Sequence, residues 1–262
     1  MRITDAQIHL WTNDQAPARH WLQPFHIEDA VYAMNEAGIE GAINHPPNWD
    51  LGSVDYAVQA AQAHPDRFAT LGWFPLDENA NERDVDCLMS LPGMLGMRFI
   101  LPTPEVMPLL MSGKLEWLWA AAHDRELPMG LFIMREQIGL VGQIAVRYPK
   151  MRLLSDHLGV LPFVKLPEAA ASVEALLGLS HLPNVAMKAT GVPSMSLDGY
   201  PFISTHGLLR KVYHAFGAER MFWGTDITRL SVSWRDCVNL FVRELDWLKG
   251  TELDAIMGGR PA

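Results

Sequence analysis

Eight short apolar runs alternating with eight segments of helical period constrain this chain more than any other feature. The runs are Ile3–His9, Gly41–Asn44, Phe68–Phe74, Leu95–Ile100, Pro128–Ile133, Arg152–Asp156, Val185–Ala189 and Met221–Gly224. The helical segments between and after them are Ile27–Ala37, Val54–Ala63, Glu82–Ser90, Leu115–Asp124, Gln137–Arg147, Glu168–Leu177, Gly207–Phe216 and Trp234–Leu248. Strands covered by helices and packed on one another read as continuous apolar runs. Eight such units in 262 residues predict an α/β fold of the TIM (β/α)8 type, one domain spanning 1–262. The alternative, an open doubly wound sheet, lacks the glycine-rich phosphate loop expected after its first strand.

Composition narrows the class of partner. With 49% hydrophobic residues the chain can bury a large core, and 30 acidic against 21 basic residues leave a formal charge of −9. No Lys/Arg cluster stands out, which disfavours nucleic acid and anionic membranes. No run of about 18 or more apolar residues offers a membrane span. The two cysteines, Cys87 and Cys237, have no CxxC spacing and fit a reducing cytoplasm, both being expected as buried filler. The expected localisation is cytoplasmic, and the expected partner a small molecule.

In a barrel, chemistry gathers where strands end and the following loops begin. Gln7 and His9 stand there on the first strand, Asn44 and His45 on the second, Arg98 on the fourth, Asp156 and His157 on the sixth, Lys188 on the seventh and Asp226 after the eighth. Residues two apart on a strand share a face, so Asp5, Gln7 and His9 are expected to point one way. His9, His157 and Asp226 form a set, because closure makes the eighth and first strands neighbours.

These residues carry a family resemblance. Asp5-Ala6-Gln7-Ile8-His9-Leu10-Trp11, Gly96-Met97-Arg98, Ser155-Asp156-His157-Leu158-Gly159, Asn184-Val185-Ala186-Met187-Lys188 and Phe222-Trp223-Gly224-Thr225-Asp226 follow a known order and spacing over nearly the whole chain. The sequence resembles the amidohydrolase-related branch of the amidohydrolase superfamily, which includes lactonases, 2-pyrone-4,6-dicarboxylate hydrolase and metal-dependent aromatic decarboxylases. The departures matter as much as the matches. The family's first strand-one histidine is Gln7 here, a poor zinc ligand, and the fifth strand, Leu127–Met134, has none of the histidine commonly found there. The resemblance therefore implies the lactonase subgroup that works without a divalent metal. No cofactor is expected; the alternative is a single zinc or manganese ion on His9, His157 and Asp226.

A metal-free mechanism must activate water and stabilise an oxyanion by other means. On this reading Asp226 is the general base, His9 and His157 donate to the carbonyl oxygen, Gln7 adds an amide donor or orients substrate, and Arg98 grips a carboxylate. The expected reaction is hydrolysis of a lactone, or similar cyclic ester, bearing an anionic group. The alternatives are a metal-dependent decarboxylase of an aromatic or unsaturated acid and a non-catalytic ligand-binding barrel.

Each residue also has a plainer reading. Arg98 could be a structural ion-pair partner, Lys188 an anion ligand or part of the core, and Asp156 a structural acceptor facing away from the mouth. His45, before Pro46-Pro47, could open a stiff loop or touch substrate. His20, His26, His64, His123, His181, His206 and His214 are expected to face solvent. Leu10–Phe25 and Gly191–Thr205 are aperiodic and aromatic, as a lid over a planar substrate would be, and Trp49 and Trp73 follow the second and third strands, with Trp73 a candidate substrate contact. Trp117-Leu118-Trp119 suits either barrel packing or a homo-oligomer patch. Gly258-Gly259-Arg260-Pro261-Ala262 comes where the family normally continues into a last small helix, which suggests a truncated end.

Overall fold

A computed structural model of the chain describes residues 1–161 and 163–259. Eight strands, β1 (Thr4–Ile8), β2 (Gly41–Asn44), β3 (Phe68–Gly72), β4 (Met94–Ile100), β5 (Pro128–Phe132), β6 (Arg152–Ser155), β7 (Val185–Ala189) and β8 (Met221–Trp223), form one sheet in sequential order. Every ladder, from β1·β2 to β7·β8, is parallel. This is the TIM barrel that the alternation predicts. The runs Gly41–Asn44 and Val185–Ala189 and the helices Ile27–Ala37 and Glu168–Leu177 are reproduced to the residue.

The helices in chain order are α1 (Ile27–Ala37), α2 (Ser53–Ala63), α3 (Glu82–Met89), α4 (Val106–Met111), α5 (Glu116–Asp124), α6 (Ile138–Arg147), α7 (Glu168–Leu177), α8 (Val192–Met195), α9 (Ile203–Phe216), α10 (Trp234–Asn239) and α11 (Gly250–Ile256). They form because apolar side chains recur at helical spacing and bury one stripe, as Ala30, Met34 and Ala37 do on α1. Within α5, Leu118 and Trp119 are buried and Trp117 packs partly against the core, so that segment serves barrel packing. The long helix expected after β8 is broken: α10 passes into a π-type turn at Leu240–Glu244. A short last helix, α11, then follows. It is only seven residues long and starts at a glycine, so periodicity could not reveal it. Arg260-Pro261-Ala262, where truncation was expected, lie outside the described residues.

Two features at the strand ends shape the mouth. The β1·β2 register shifts between Asp5 and Ile8, so strict alternation fails there. Ala6 and Thr4 line the barrel interior, while Asp5 bonds outward to Trp234 of α10. The expectation that Asp5 shares a face with Gln7 is therefore overturned by this irregularity. On β5, Gly130 gives Arg98 its room: a Cβ there would lie 3.0 Å from the Arg98 Cγ.

Among the described residues no helix is long and apolar enough to cross a membrane. Cys237 is buried as expected, but Cys87 is exposed. Cys87 lies on α3 between the buried Val85 and Leu88, and its position falls off that buried stripe.

Candidate active site

The centre is built from strand ends. Gln7, His9, His45, Arg98, Asp156, His157, Lys188 and Asp226 are all buried, none more than 7% exposed. Lys188 lies 2.6 Å from Asp156 Oδ1 and Arg98 Nε donates to Asp156 Oδ2 at 2.8 Å. Burial opposes ionisation of Asp156, yet these two cations overcome it and hold the carboxyl well below its usual range. Asp156 is thus the structural acceptor of a buried cluster, and Lys188 is part of the floor. Lys188 Nζ also donates to Gln7 Oε1 at 2.9 Å. That bond fixes the glutamine amide, whose Nε2 then faces His157 Nε2 at 3.3 Å.

The two catalytic-candidate histidines are oriented by their far nitrogens. His9 Nδ1 donates to the His45 carbonyl at 2.6 Å, leaving Nε2 3.1 Å from Asp226 Oδ1. His157 Nδ1 meets Thr190 Oγ1 at 2.7 Å, and its Nε2 is 3.6 Å from Asp226 Oδ2. Burial pushes the His157 imidazole down to about 3, against the pull of Asp226. Neutral His157 therefore accepts from Gln7, and its expected role as an oxyanion donor does not match this arrangement. Its left-handed φ of +51, shared with Leu158 at +55, turns the chain so that the ring enters the mouth. His45 Nε2 lies 3.1 Å from the Ala6 carbonyl, below the mouth.

Asp226 follows β8 at φ +54, also left-handed. Burial would raise its pKa, but the Arg229 guanidinium, with Nε 2.8 Å from Oδ2, and the neighbouring His9 hold it well below the ordinary carboxylate range. Arg229 was not foreseen. The only hint was its i,i+3 spacing from Asp226, which one helical turn makes a contact distance. His20 was expected in solvent and is instead 5% exposed. The Leu10–Phe25 loop folds back over the mouth through the bond from Trp21 N to Thr228 O at 2.8 Å. This places His20 Nε2 3.1 Å from Arg229 Nε and its ring 4.6 Å from that of Trp49.

Besides the barrel interior, whose lining includes Lys188, two cavities adjoin the centre. One of about 20 Å³ is lined by His157, Asp226 and Arg229, enough for about one water. The other, about 300 Å³, is lined by Pro46, Trp73, Arg98 and Thr103 at the ends of β2 to β4, with the exposed Asp77 and Glu105 also in its lining. Arg98 Nη2, Trp73 Nε1 and Arg229 Nη1 are buried without a hydrogen-bond partner among the described residues.

Several of the donors that a divalent metal would need are already engaged. His157 Nε2 faces the Gln7 amide, the Gln7 oxygen is taken by Lys188, and the Asp226 carboxylate is already held by Arg229. β5 adds no histidine, thiolate or carboxylate. Among the described residues no group of three or more His, Cys, Asp or Glu side chains is arranged to hold an ion.

This barrel has known counterparts. An L-fucono-1,5-lactonase from Burkholderia ambifaria is 23% identical over 244 residues, covering 88% of this chain and 83% of that protein. An amidohydrolase from Burkholderia multivorans with bound zinc superposes with a TM-score of 0.82 at 18% identity, over 98% of this chain and 96% of that one. A candidate 2-pyrone-4,6-dicarboxylic acid hydrolase from Pseudomonas putida gives 0.77 at 18% identity, over 97% and 94%. The amidohydrolase family matches residues 4–258, from the first residue of β1 to beyond α11 and through every side chain of the centre, so the chain belongs to that family.

Proposed function

We propose that this protein hydrolyses a lactone bearing a carboxylate, without a divalent metal. The observation that carries the reading is the charge of the buried mouth: three cations, Arg98, Lys188 and Arg229, against two carboxylates, Asp156 and Asp226. One positive charge is in surplus, and Arg98, which lines the larger cavity, has its Nη2 buried without a hydrogen-bond partner among the described residues. A substrate carboxylate neutralises that surplus and takes the Arg98 and Trp73 N–H groups. The unpaired groups there are donors, which favours an anionic substrate over a neutral polyol. The L-fucono-1,5-lactonase and the pyrone-dicarboxylic acid hydrolase both act, by their names, on cyclic esters or their acids, which supports the class of bond.

Water in the small cavity attacks the lactone carbonyl carbon while its proton passes to Asp226. The carbonyl electron pair moves onto oxygen, where Arg229 Nη1 stabilises it. Collapse breaks the ring C–O bond, and the proton returns from Asp226 to the leaving oxygen. The product is a ring-opened hydroxy acid, and Asp226 is restored as carboxylate. Because Arg229 and His9 hold Asp226 low, it is a weak base. Such a base serves an ester with a good leaving group and fails with an amide. Gln7 and His157 position one another at the floor, and Lys188 fixes the amide between them.

The test is a panel of carboxylated lactones, their neutral analogues and the matching lactams. Turnover is expected for the first class alone. Arg98→Met should lower kcat/KM for the carboxylated member by about 10- to 100-fold, the worth of one charge-assisted hydrogen bond, and leave any residual rate on the neutral one unchanged. Asp226→Asn should abolish turnover while binding persists. Equal turnover of neutral and charged lactones, or a fully active Asp226→Asn, removes the reading.

A further inference from the structure

Asp5 belongs to the strand-one motif, yet its carboxylate touches none of the side chains given a role above. It is fully buried, and its partners are all N–H or O–H donors. Oδ1 accepts from Gln7 N and from Thr225 N, each at 2.9 Å. Oδ2 accepts from Thr225 Oγ1 at 2.5 Å and from Trp234 Nε1 at 2.7 Å. One carboxylate thereby ties together β1, the turn after β8 and the start of α10.

That position is where the barrel needs a fastening. Ladders join each strand to the next from β1 to β8, and among the described residues none joins β8 back to β1. The seam carries one backbone bond beside the site, from Asp226 N to Gln7 O at 2.9 Å. The residue it holds, Asp226, has a left-handed φ of +54, a region that L-residues adopt uncommonly. Thr225, immediately before it, is held at both its backbone N–H and its hydroxyl by Asp5. Gly224 makes the approach possible, since a Cβ there would lie 3.0 Å from both Ala6 N and Asp5 Oδ1.

We propose that Asp5 is a positioning residue, a latch across the β8–β1 seam that fixes Thr225 and so sets the Asp226 carboxylate against His9 and His157. The latch is needed whatever ester Asp226 serves. Asparagine at this position keeps one acceptor oxygen and presents an amide NH₂ to two of the four donors, so part of the fastening opens while the side-chain volume stays nearly constant.

The experiment compares Asp5→Asn, Asp226→Asn and the double variant, each well below its unfolding temperature. The first readout needs no substrate: the imidazole ¹⁵N shifts of His9 and His157. Asp5→Asn should move both toward their values in Asp226→Asn, and unmoved shifts overturn the proposal. The second is kcat on the fastest lactone of the panel. A displacement of Asp226 of about 1 Å should cost about 100-fold in kcat with KM little changed. In the Asp226→Asn background, where no turnover remains, the same change should cost stability and leave both imidazole shifts where Asp226→Asn alone puts them; a further movement of both in the double variant marks Asp5 as merely structural. Should Asp5→Asn fail to fold, Trp234→Phe removes a single donor and should shift the same two imidazoles in the same direction, and shifts left in place reject the latch. A failed panel with shifted imidazoles rejects the function and keeps the latch.

Discussion

Lowering the pH from 7 to 5 should cost this fold at least about 2.5 kcal/mol through a few buried groups near the mouth. Burial, with His9 and Arg229 nearby, pushes His20 down to about 2, and burial pushes His157 down to about 3. An unfolded imidazole titrates near 6.5. Their stabilisation is therefore complete above about pH 6.5 and is lost as the unfolded chain takes up protons that the folded one refuses. At pH 5 each histidine has lost about 2 kcal/mol, about 4 together. Asp5 works in the opposite sense. Burial, partly offset by its four hydrogen bonds, raises its carboxyl to about 6, so the fold regains about 1.5 kcal/mol as Asp5 protonates. His45, held well below its ordinary value by burial and by Lys188, adds to the loss. Urea unfolding at pH 7, 6 and 5 measures the difference, and His20→Gln should remove about 2 kcal/mol of the pH dependence. Stability that stays level or rises between pH 7 and 5 refutes the reasoning. So does ¹⁵N evidence that His157 is protonated in the folded protein at pH 5.

Three further outcomes follow from the same geometry. Gly224→Ala sets a Cβ 2.7 Å from Thr190 Cγ2 and 3.0 Å from the Ala6 backbone nitrogen, so the seam must open. A loss of about 1–3 kcal/mol should appear as a lower melting temperature in calorimetry. Arg229→Met leaves Asp226 without the cation 2.8 Å from Oδ2, so its pKa should rise. The acid limb of the kcat/KM profile should then move to higher pH while kcat falls about 100-fold, and an unmoved limb shows that Arg229 does not hold Asp226 low. Dialysis against a chelator should leave the hydrolytic rate unchanged; a rate lost on dialysis and regained with zinc or manganese sinks the metal-free mechanism.

The parts of the site legible in the sequence were those tied to regular structure. Arg98, His157 and Lys188 end apolar runs, and barrel closure alone brings them to one mouth with His9 and Asp226. What escaped depends on irregular backbone. Strict alternation put Asp5 beside Gln7, but the register shift in β1 separates them and sends Asp5 to the seam. His20 sits in an aperiodic loop, where no periodicity indicates burial; a tertiary bond from Trp21 N to Thr228 O folds it inward. Arg229 falls in a three-residue 3-10 turn too short to carry a pattern. The plain readings of Asp156 and Arg98 could be weighed only once Asp156 was seen to hold two cations, because a pairing across 58 residues leaves no local trace.

Gln7 marks the clearest departure from the metal-binding relatives, yet restoring histidine there should not restore a metal site. An imidazole at position 7 would meet the Lys188 ammonium that now donates to Gln7 Oε1 at 2.9 Å. The stronger obstacle is Arg229, whose guanidinium already holds Asp226. A divalent ion about 5 Å from that charge, at an effective dielectric near 20, is repelled by about 7 kcal/mol, roughly five orders of magnitude in affinity. On the metal-free reading proposed above, the glutamine and the arginine act together: the guanidinium supplies the positive charge that an ion would bring to the carboxylate. Gln7→His alone should bind zinc no more tightly than the parent in calorimetric titration. Gln7→His combined with Arg229→Met should bind at least about 1,000-fold more tightly than either single variant, since only the pair frees both an imidazole and the carboxylate. Tight zinc binding by Gln7→His with Arg229 intact would show that the guanidinium is no barrier, and the electrostatic account of this mouth would fall with it.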